Sequence, residues 1–200
     1  MKQPRDRFTT IAIILHWAIA ALLLYNIWLG WQYGDLKPGL KQFQILQLHK
    51  SVGITVMVLS VLRLLWRLAN PPPPLPLHMP AWEKFAAVAT HWAFYAIMLG
   101  LPITGWIMVS ASPTNLPTFL YSNLGLKLTF PHLGFVHALE PVARKAAEDA
   151  STTVHHLLVK LTYVLFVLHV AAALKHHFVN RDAVLWHMIP LGRKPVPKET

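Results

Sequence analysis

Two stretches of this chain run without a single Asp, Glu, Lys or Arg over a length sufficient to cross a lipid bilayer. They extend from Phe8 to Trp31 and from Phe85 to Val109. A membrane-spanning α-helix needs about 20 mostly apolar residues. Two further apolar stretches, Phe43 to Leu68 and Thr153 to Phe178, include a few Lys, Arg and His, which a membrane tolerates where they are paired or functional. The sequence therefore predicts four spanning helices, at about residues 8–31, 43–68, 83–109 and 153–178.

The overall composition is that of a membrane protein, and it limits the chemistry. Of the 200 residues, 54% are hydrophobic and 13% are charged, a more apolar balance than one soluble core of this length carries. The first apolar stretch is too long for a signal peptide and lacks a small-residue cleavage site, so we expect it to be retained as the first helix. The absence of cysteine excludes disulfides, iron–sulfur clusters, thiolate metal sites and covalently attached c-type haem.

The basic residues predict the orientation of the helices and exclude one class of partner. They are concentrated in the N-terminal segment, after the second helix and in the C-terminal tail, whereas the opposite loops carry mixed charges. The positive-inside rule therefore places both termini in the cytoplasm. The net charge of +10 does not indicate a nucleic-acid partner, because the basic residues cluster at helix ends and form no RNA-binding signature. Those on the predicted cytoplasmic side are Lys2, Arg5, Arg7, Arg63, Arg67, Lys84, Lys175, Arg181, Arg193, Lys194 and Lys198.

These features predict an all-α integral membrane protein, a four-helix bundle in lipid that forms a single domain over residues 1–200. The connection from Asn70 to Pro80 contains the run PPPPLP, which cannot be helical and is typical of a stiff spacer. The outer loop, residues 110–152, has several prolines in its first half and strong helix formers in its second half. We expect a short helix from that second half to lie over the outer face.

Six of the histidines in or near the predicted helices are candidates for function, because ionisable residues are costly there and usually mark function. A single such histidine is more often a hydrogen-bonded residue at the membrane interface. The argument for function therefore depends on how the six histidines are arranged. His155 and His169 are fourteen residues apart, which places them on one helix face and about 21 Å apart along the axis. His156 points away from that face and is the structural alternative. The six are His16, His49, His91, His155, His156 and His169.

Matching depths in the membrane pair these histidines across helices. His16 lies about two turns from the cytoplasmic end of the first helix, and His169 lies at a similar depth in the fourth. His49 opens the second helix at the outer side, level with His155 at the start of the fourth. Each pair can hold the iron of a non-covalent haem b between two imidazoles, which favours electron transfer over oxygen binding. His176, two turns nearer the cytoplasm than His169, is expected at the interface.

Other residues near these pairs each have two interpretations. Arg63 and Arg67 lie one turn apart on the second helix, where they either neutralise the propionates of the inner haem or extend to the membrane interface. Gly53, one turn after His49, either lets the outer haem approach the backbone or simply allows close helix packing. His91 has no partner evident in the sequence. It either donates a hydrogen bond to a quinone carbonyl or is a satisfied histidine of the bundle.

Short motifs surround these histidines: LHW at His16, QLHKSVGI and RLLWRL in the second helix, THWAFY at His91, and VHHLL and VLHVAAALKHHF in the fourth. They resemble the bacterial cytochrome b561 family, which includes the cytochrome b subunits of nickel hydrogenases and formate dehydrogenases. The resemblance covers nearly the whole chain and is strongest to small stand-alone members. It implies a multi-pass protein of the bacterial inner membrane with two b haems. The family's ligand pattern corresponds to His16, His49, His155 and His169, while the enlarged outer loop, residues 110–152, departs from the family pattern.

Two functions follow from this resemblance. In the first, the chain is a stand-alone oxidoreductase that passes electrons from an outer-side donor such as superoxide, through both haems, to ubiquinone or a similar quinone. Whether it is an enzyme then depends on the donor. In the second, it is an anchor and relay subunit of a larger respiratory complex, and its outer loop docks a periplasmic redox protein. A haem-free transporter or scaffold is less consistent with the pairs, because a compact zinc site gathers three or four ligands at one depth.

Overall fold

The computed structural model describes residues 7–126 and 128–190, and this part of the chain contains the four predicted spanning helices. Helix α1 spans Thr10–Asp35, α2 spans Leu40–Ala69, α3 spans Ala81–Ala111 and α5 spans Pro141–Lys175. Each helix is long and apolar enough to cross a membrane. The all-α fold is thereby confirmed. Of the basic residues named above, Lys2, Arg5, Arg193, Lys194 and Lys198 lie outside the described residues.

A small folded segment lies between α3 and α5. Strands β1, Thr118–Leu120, and β2, Leu128–Phe130, pair antiparallel, with Thr118 opposite Phe130. A 3₁₀ turn, Ser122–Leu124, lies between the strands, and the short helix α4, Gly134–His137, follows them. We call the described part of residues 117–133 the outer hairpin.

Local chemistry explains where the helices begin. α1 follows Thr9, whose hydroxyl accepts a hydrogen bond from the backbone N–H of Ala12 at 3.2 Å, the usual arrangement of an N-cap. α3 follows Pro80, and α5 has Pro141 in its first turn, where a missing N–H costs no helical hydrogen bond. The proline-rich connection at residues 71–76 is not helical, as predicted.

The fourth spanning helix is longer than predicted. α5 begins at Pro141, twelve residues before the expected start at Thr153. Residues 142–152 contain no glycine or proline, so nothing interrupts the helix before the apolar part begins. The short helix that we expected over the outer face is therefore the first part of α5. At its other end, α5 continues into a π-helical turn, His176–Asn180.

The spanning helices pack in two pairs. α1 packs along α2, α3 packs along α5, and a smaller contact between α2 and α3 joins the two pairs. α5 packs along α3 far more extensively than along α1 or α2. We call the pairs the α1–α2 half and the α3–α5 half. The backbone of α5 therefore lies further from the α1–α2 half than from α3.

The two ends of the bundle have different structures. We call the end where α1 begins and α5 ends the inner end, and the opposite end, which carries the outer hairpin, the outer end. At the inner end, Nζ of Lys175 lies 2.6 Å from Oε1 of Glu83 and ties α5 to α3. The chain beyond α5 returns to α1, where the carbonyl of Met188 accepts a hydrogen bond from the Trp17 indole at 2.8 Å. Both ends of the described chain thus meet at the inner end.

The outward surface of the bundle is apolar. The buried core is small and centres on residues such as Leu29, Val52 and Val56. Many large apolar side chains face outward instead, on all four spanning helices. A soluble protein seldom exposes so much contiguous apolar surface, so this pattern is typical of helices surrounded by lipid. Examples are Ile14 of α1, Leu65 of α2, Trp82 of α3 and Val167 of α5.

Gly100 sets how closely α3 approaches α5. A Cβ atom at this position would lie 3.1 Å from Cδ1 of Leu158, which is closer than such atoms normally pack. We predict that Gly100→Leu destabilises the bundle by about 1–3 kcal/mol through overpacking, seen as a lower midpoint of thermal unfolding in detergent. Gly34→Leu in α1 is the matched control, because nothing lies within 4 Å of its Cβ position. Equal midpoints for the two variants would contradict the close contact.

Candidate functional site

Four histidines from three helices meet in two pairs, and each pair crosses the boundary between the halves. His16 of α1 and His169 of α5 meet toward the inner end, with ring centroids 6.2 Å apart and ring planes at 63°. His49 of α2 and His155 of α5 meet toward the outer end, with centroids 6.4 Å apart and planes at 67°. We call them the inner pair and the outer pair. The structure thus brings together the same histidines that the sequence analysis pairs by their depth in the membrane.

The spacing of both pairs suits one metal atom between two imidazoles. An imidazole nitrogen binds such a metal at about 2 Å and lies roughly 1 Å from its ring centroid, so two axial imidazoles place their centroids roughly 6 Å apart. The observed separations are 6.2 and 6.4 Å. The residues of both pairs therefore fit the iron of a six-coordinate haem.

Hydrogen bonds orient the rings of the outer pair. Nδ1 of His49 lies 3.0 Å from the backbone oxygen of Asn26. Nδ1 of His155 lies 3.0 Å from the backbone oxygen of Leu101 and 3.0 Å from Oγ1 of Thr104. A carbonyl oxygen only accepts hydrogen bonds, so we assign the proton of both neutral rings to Nδ1. Nε2 then keeps a free lone pair, the arrangement common among metal-binding histidines.

Two glycines lie against the rings of the outer pair. A Cβ atom at Gly30 of α1 would lie 3.5 Å from Cε1 of His49. A Cβ atom at Gly105 of α3 would lie 3.6 Å from Cε1 of His155. The two halves thus repeat one arrangement, in which a glycine on one helix faces the histidine ring on the other. Gly53 instead lies beside the side chain of Asn26, whose Nδ2 would be 3.4 Å from a Cβ atom there.

A cavity of about 440 Å³ surrounds the outer pair. Its size is within the range of small-molecule and cofactor sites. Most of its wall is apolar, and all three glycines described above contribute to it. Lys50, Lys160 and His156 also line it, and the His156 ring lies 6.4 Å from that of His155. An apolar cavity with basic groups in its wall fits the porphyrin ring and the propionates of a haem.

His169 has a second histidine neighbour toward the inner end. The ring centroid of His91 lies 6.0 Å from that of His169, as near as His16. His16 reaches His169 across the space between α1 and α5, whereas His91 lies on α3, which packs directly along α5. A haem needs open space, so the packing favours His16 as the opposite ligand. Even with His91, the described part of the chain contains no group of three or more metal-binding side chains placed to hold one ion.

Arg63 and Arg67 both contact other helices near the inner pair. Nη1 of Arg63 donates a hydrogen bond to the backbone oxygen of Ala12 in α1 at 3.4 Å. The Arg63 guanidinium is also close enough to both rings of the inner pair to act on them electrostatically. The guanidinium carbon of Arg67 lies 5.7 Å from the ring centroids of Trp92 and Tyr95, within cation–π distance. Both arginines therefore place positive charge near the inner pair, toward the inner end of the bundle.

His176 is buried among protein groups at the inner end of the bundle, where the fourth spanning helix ends. His176 is 8% exposed, and its Nδ1 lies 2.6 Å from Oδ2 of Asp182. Its Nε2 lies 3.7 Å from Oε2 of Glu83. The carboxylates on both sides satisfy the ring, which joins α3 to the chain beyond α5. Its partners come from another helix and from the tail, and helical spacing does not indicate them.

Comparisons with known proteins find similarity over nearly the whole chain. A family model described as "Prokaryotic cytochrome b561" matches residues 7–191. The protein "Cytochrome b561 homolog 2" of Escherichia coli strain K12 is 29% identical over 197 residues, which cover 92% of each chain. "Probable superoxide oxidase CybB" of Yersinia pestis is 29% identical over 191 residues, which cover 94% of this chain and 98% of the relative. "Cytochrome b561 homolog 1" of Escherichia coli strain K12 is 27% identical over 191 residues, which cover 92% and 98%.

The glycine beside His155 provides a test of the outer pair as a haem site. We predict that Gly105→Leu fills the space beside the ring and removes the outer haem, because a packed interior does not accommodate the added atoms. The haem content of the purified protein, measured as the pyridine haemochrome, should fall from two per chain to one. Gly134→Leu is the control, since nothing lies within 4 Å of its Cβ position. An unchanged haem content in Gly105→Leu would contradict this assignment.

Proposed function

Since this chain belongs to the prokaryotic cytochrome b561 family, we propose that it is a di-haem cytochrome that takes electrons from a donor at the outer end and passes them to quinone. The family and the four apolar helices make it a multi-pass protein of the bacterial inner membrane, with a role in electron transfer through b-type haem. In this proposal residues 1–200 are a single di-haem domain, and both termini face the cytoplasm.

The observation that carries the proposal is the placement of two histidine pairs at different depths in the bundle. His155 and His169 are ligands on one helix, about 21 Å apart along its axis, so α5 contributes one ligand to each site. His49 and His16 of the other half complete the outer and the inner site. The two sites together extend over most of a bilayer core of about 30 Å. A pathway for electrons across the membrane needs this arrangement.

The protein contributes the ligands, the charge and the exclusion of oxygen. Each bound haem supplies a centre that accepts and returns one electron. His16 and His169 would hold the iron of the inner haem, and His49 and His155 that of the outer haem, which would favour electron transfer over oxygen binding. Because the chain has no cysteine, the haems are held by these ligands and by packing. Arg63 and Arg67 near the inner pair, with Lys50 and Lys160 in the outer cavity, provide positive charge that suits the propionates.

Superoxide is the donor that we propose. One relative carries the name "Probable superoxide oxidase", and Lys50 and Lys160 in the wall of the outer cavity would attract a small anion. Each superoxide gives up one electron and leaves as oxygen. Two superoxide ions and two protons therefore convert one quinone to one quinol. No side chain needs to act as a general acid or base on superoxide itself.

Ubiquinone or a similar quinone is the acceptor, and His91 is the residue that we propose to contact it. The His91 ring lies next to His169 of the inner pair, where electrons leave the protein in this scheme. Its neighbour Trp92 is 47% exposed on the outward surface, so a quinone dissolved in the bilayer has access to this part of α3. An imidazole N–H at this position donates a hydrogen bond to a quinone carbonyl.

The purified protein without any partner tests the donor. We predict that superoxide generated by xanthine oxidase reduces the haems, that superoxide dismutase abolishes this reduction, and that added ubiquinone reoxidises the protein. Lys160→Gln should lower the rate of reduction by several fold at low salt, because it weakens electrostatic attraction. Lys41→Gln is the control, since Lys41 is exposed and lies outside the cavity. A protein that superoxide cannot reduce would contradict the proposed donor and support the relay subunit of a larger complex.

A further inference from the structure

The outer hairpin is too small to be stable without support from the helices. Each strand has three residues, with Thr118 opposite Phe130. A two-stranded hairpin is only marginally stable in water by itself. Its position must therefore be held by contacts with the bundle, and the hydrogen bonds show where they are.

A buried glutamine of α2 holds the first strand by both ends of its amide. Oε1 of Gln47 accepts a hydrogen bond from the backbone N–H of Phe119 at 2.9 Å. Nε2 of Gln47 donates one to the backbone oxygen of Pro117 at 3.0 Å. Gln47 is only 1% exposed, so water cannot replace these bonds when they are lost.

Two hydroxyl groups continue the attachment along the same face of α2. Oγ of Ser51 accepts a hydrogen bond from the backbone N–H of Tyr121 at 3.0 Å. Oγ1 of Thr55 lies 2.5 Å from the hydroxyl of Tyr121. Gln47, Ser51 and Thr55 recur every four residues, the spacing of one helix face. We call these three side chains the latch.

The chain after the second strand is attached to the other half of the bundle. The indole of Trp106 in α3 donates a hydrogen bond to the backbone oxygen of Pro131 at 2.8 Å. Oγ of Ser110, also in α3 and fully buried, accepts one from the backbone N–H of Leu133 at 2.9 Å. The hairpin segment therefore bridges the α1–α2 half and the α3–α5 half at the outer end.

This bridge forms part of the wall around the outer pair. Thr118 and Phe130, which face each other across the strands, line the same cavity as His49 and His155. Nζ of Lys50 also lies 3.4 Å from the backbone oxygen of Pro117, so the hairpin holds a positive charge beside the cavity. The hairpin therefore supplies part of the surface that a donor from the outer end meets at the cavity.

We infer that the outer hairpin is a roof that selects electron donors by size. It admits small reductants to the outer site and keeps soluble redox proteins too far away for rapid electron transfer. This inference rests on the proposed function, because it concerns the donor for the same site. It also assigns the enlarged outer loop a role opposite to docking of a partner protein. Breaking the latch should open the site to protein donors without improving access for small ones.

Gln47→Leu is the variant that tests the roof, because it removes both amide hydrogen bonds at similar side-chain volume. Without the bonds to Phe119 and Pro117 the closed position of the hairpin is less favourable, and we expect the open population to rise about tenfold, which corresponds to about 1.4 kcal/mol. Gln44→Leu is the matched control, since Gln44 lies on the exposed side of the same helix turn. Ser51→Ala is a second latch variant, to be used if Gln47→Leu does not fold.

The measurement compares a small and a large reductant on each purified haem-containing protein. Dithionite supplies a small anionic reductant, and photoreduced flavodoxin is a soluble protein donor. We expect the rate of haem reduction by flavodoxin to rise about tenfold in the latch variant, the same factor as the open population. The rate with dithionite, and both rates in Gln44→Leu, should stay within about twofold of the parent protein. Amide hydrogen exchange at Phe119 and Tyr121 should increase in the latch variant alone.

The outcomes separate this inference from the function on which it rests. Faster hydrogen exchange in the latch variant with an unchanged flavodoxin rate would overturn the roof while leaving the proposed function intact. Rapid reduction of the parent protein by flavodoxin would overturn it as well. Failure of superoxide to reduce a protein that dithionite reduces would instead reject the proposed donor, and the comparison of dithionite with flavodoxin would still test the roof.

Discussion

The pairing of imidazoles between the two halves of the bundle is the constraint on which the rest of the structure depends. A polar ring in a membrane helix is costly unless a partner satisfies it, so the four paired histidines cannot face lipid. They lie where α5 stands apart from the α1–α2 half. Within each half the helices approach closely, and glycines such as Gly30 and Gly105 make room beside the rings. The close packing within each half and the wider separation of α5 from the α1–α2 half therefore both help to place these rings.

The two sites share this geometry but differ in their surroundings, which suits different tasks. The outer pair is oriented by backbone oxygens, is surrounded by a cavity with lysines in its wall, and is covered in part by the hairpin. The inner pair has Arg63 close by and His91 as a further neighbour. A site that receives electrons from a small anion needs controlled access and positive charge. In the proposed function the inner site serves a membrane quinone, and His91 of α3 is the contact that we propose for it.

Much of the fold and part of the candidate site could be predicted from the sequence. Apolar length predicts the four spanning helices, and the 3.6-residue period together with depth predicts which histidines meet. Contacts that depend on how helices rotate and pack could not be predicted this way. Gly30, Gly105 and the approach of His91 to His169 belong to this class, since each partner lies on a different helix. The early start of α5 was missed because polar but helix-forming residues extend an apolar helix without any signal in hydropathy.

The most direct test of the central claim is the pyridine haemochrome and the reduced-minus-oxidised spectrum of the detergent-purified protein. It should be recorded for the parent protein and for separate alanine substitutions of the paired histidines, with His91→Ala as the control. We expect two b haems per chain in the parent protein and in His91→Ala, and loss of one haem in each of the other variants. A colourless parent protein would contradict it, as would two haems retained in all the variants. The four substitutions are His16→Ala, His49→Ala, His155→Ala and His169→Ala.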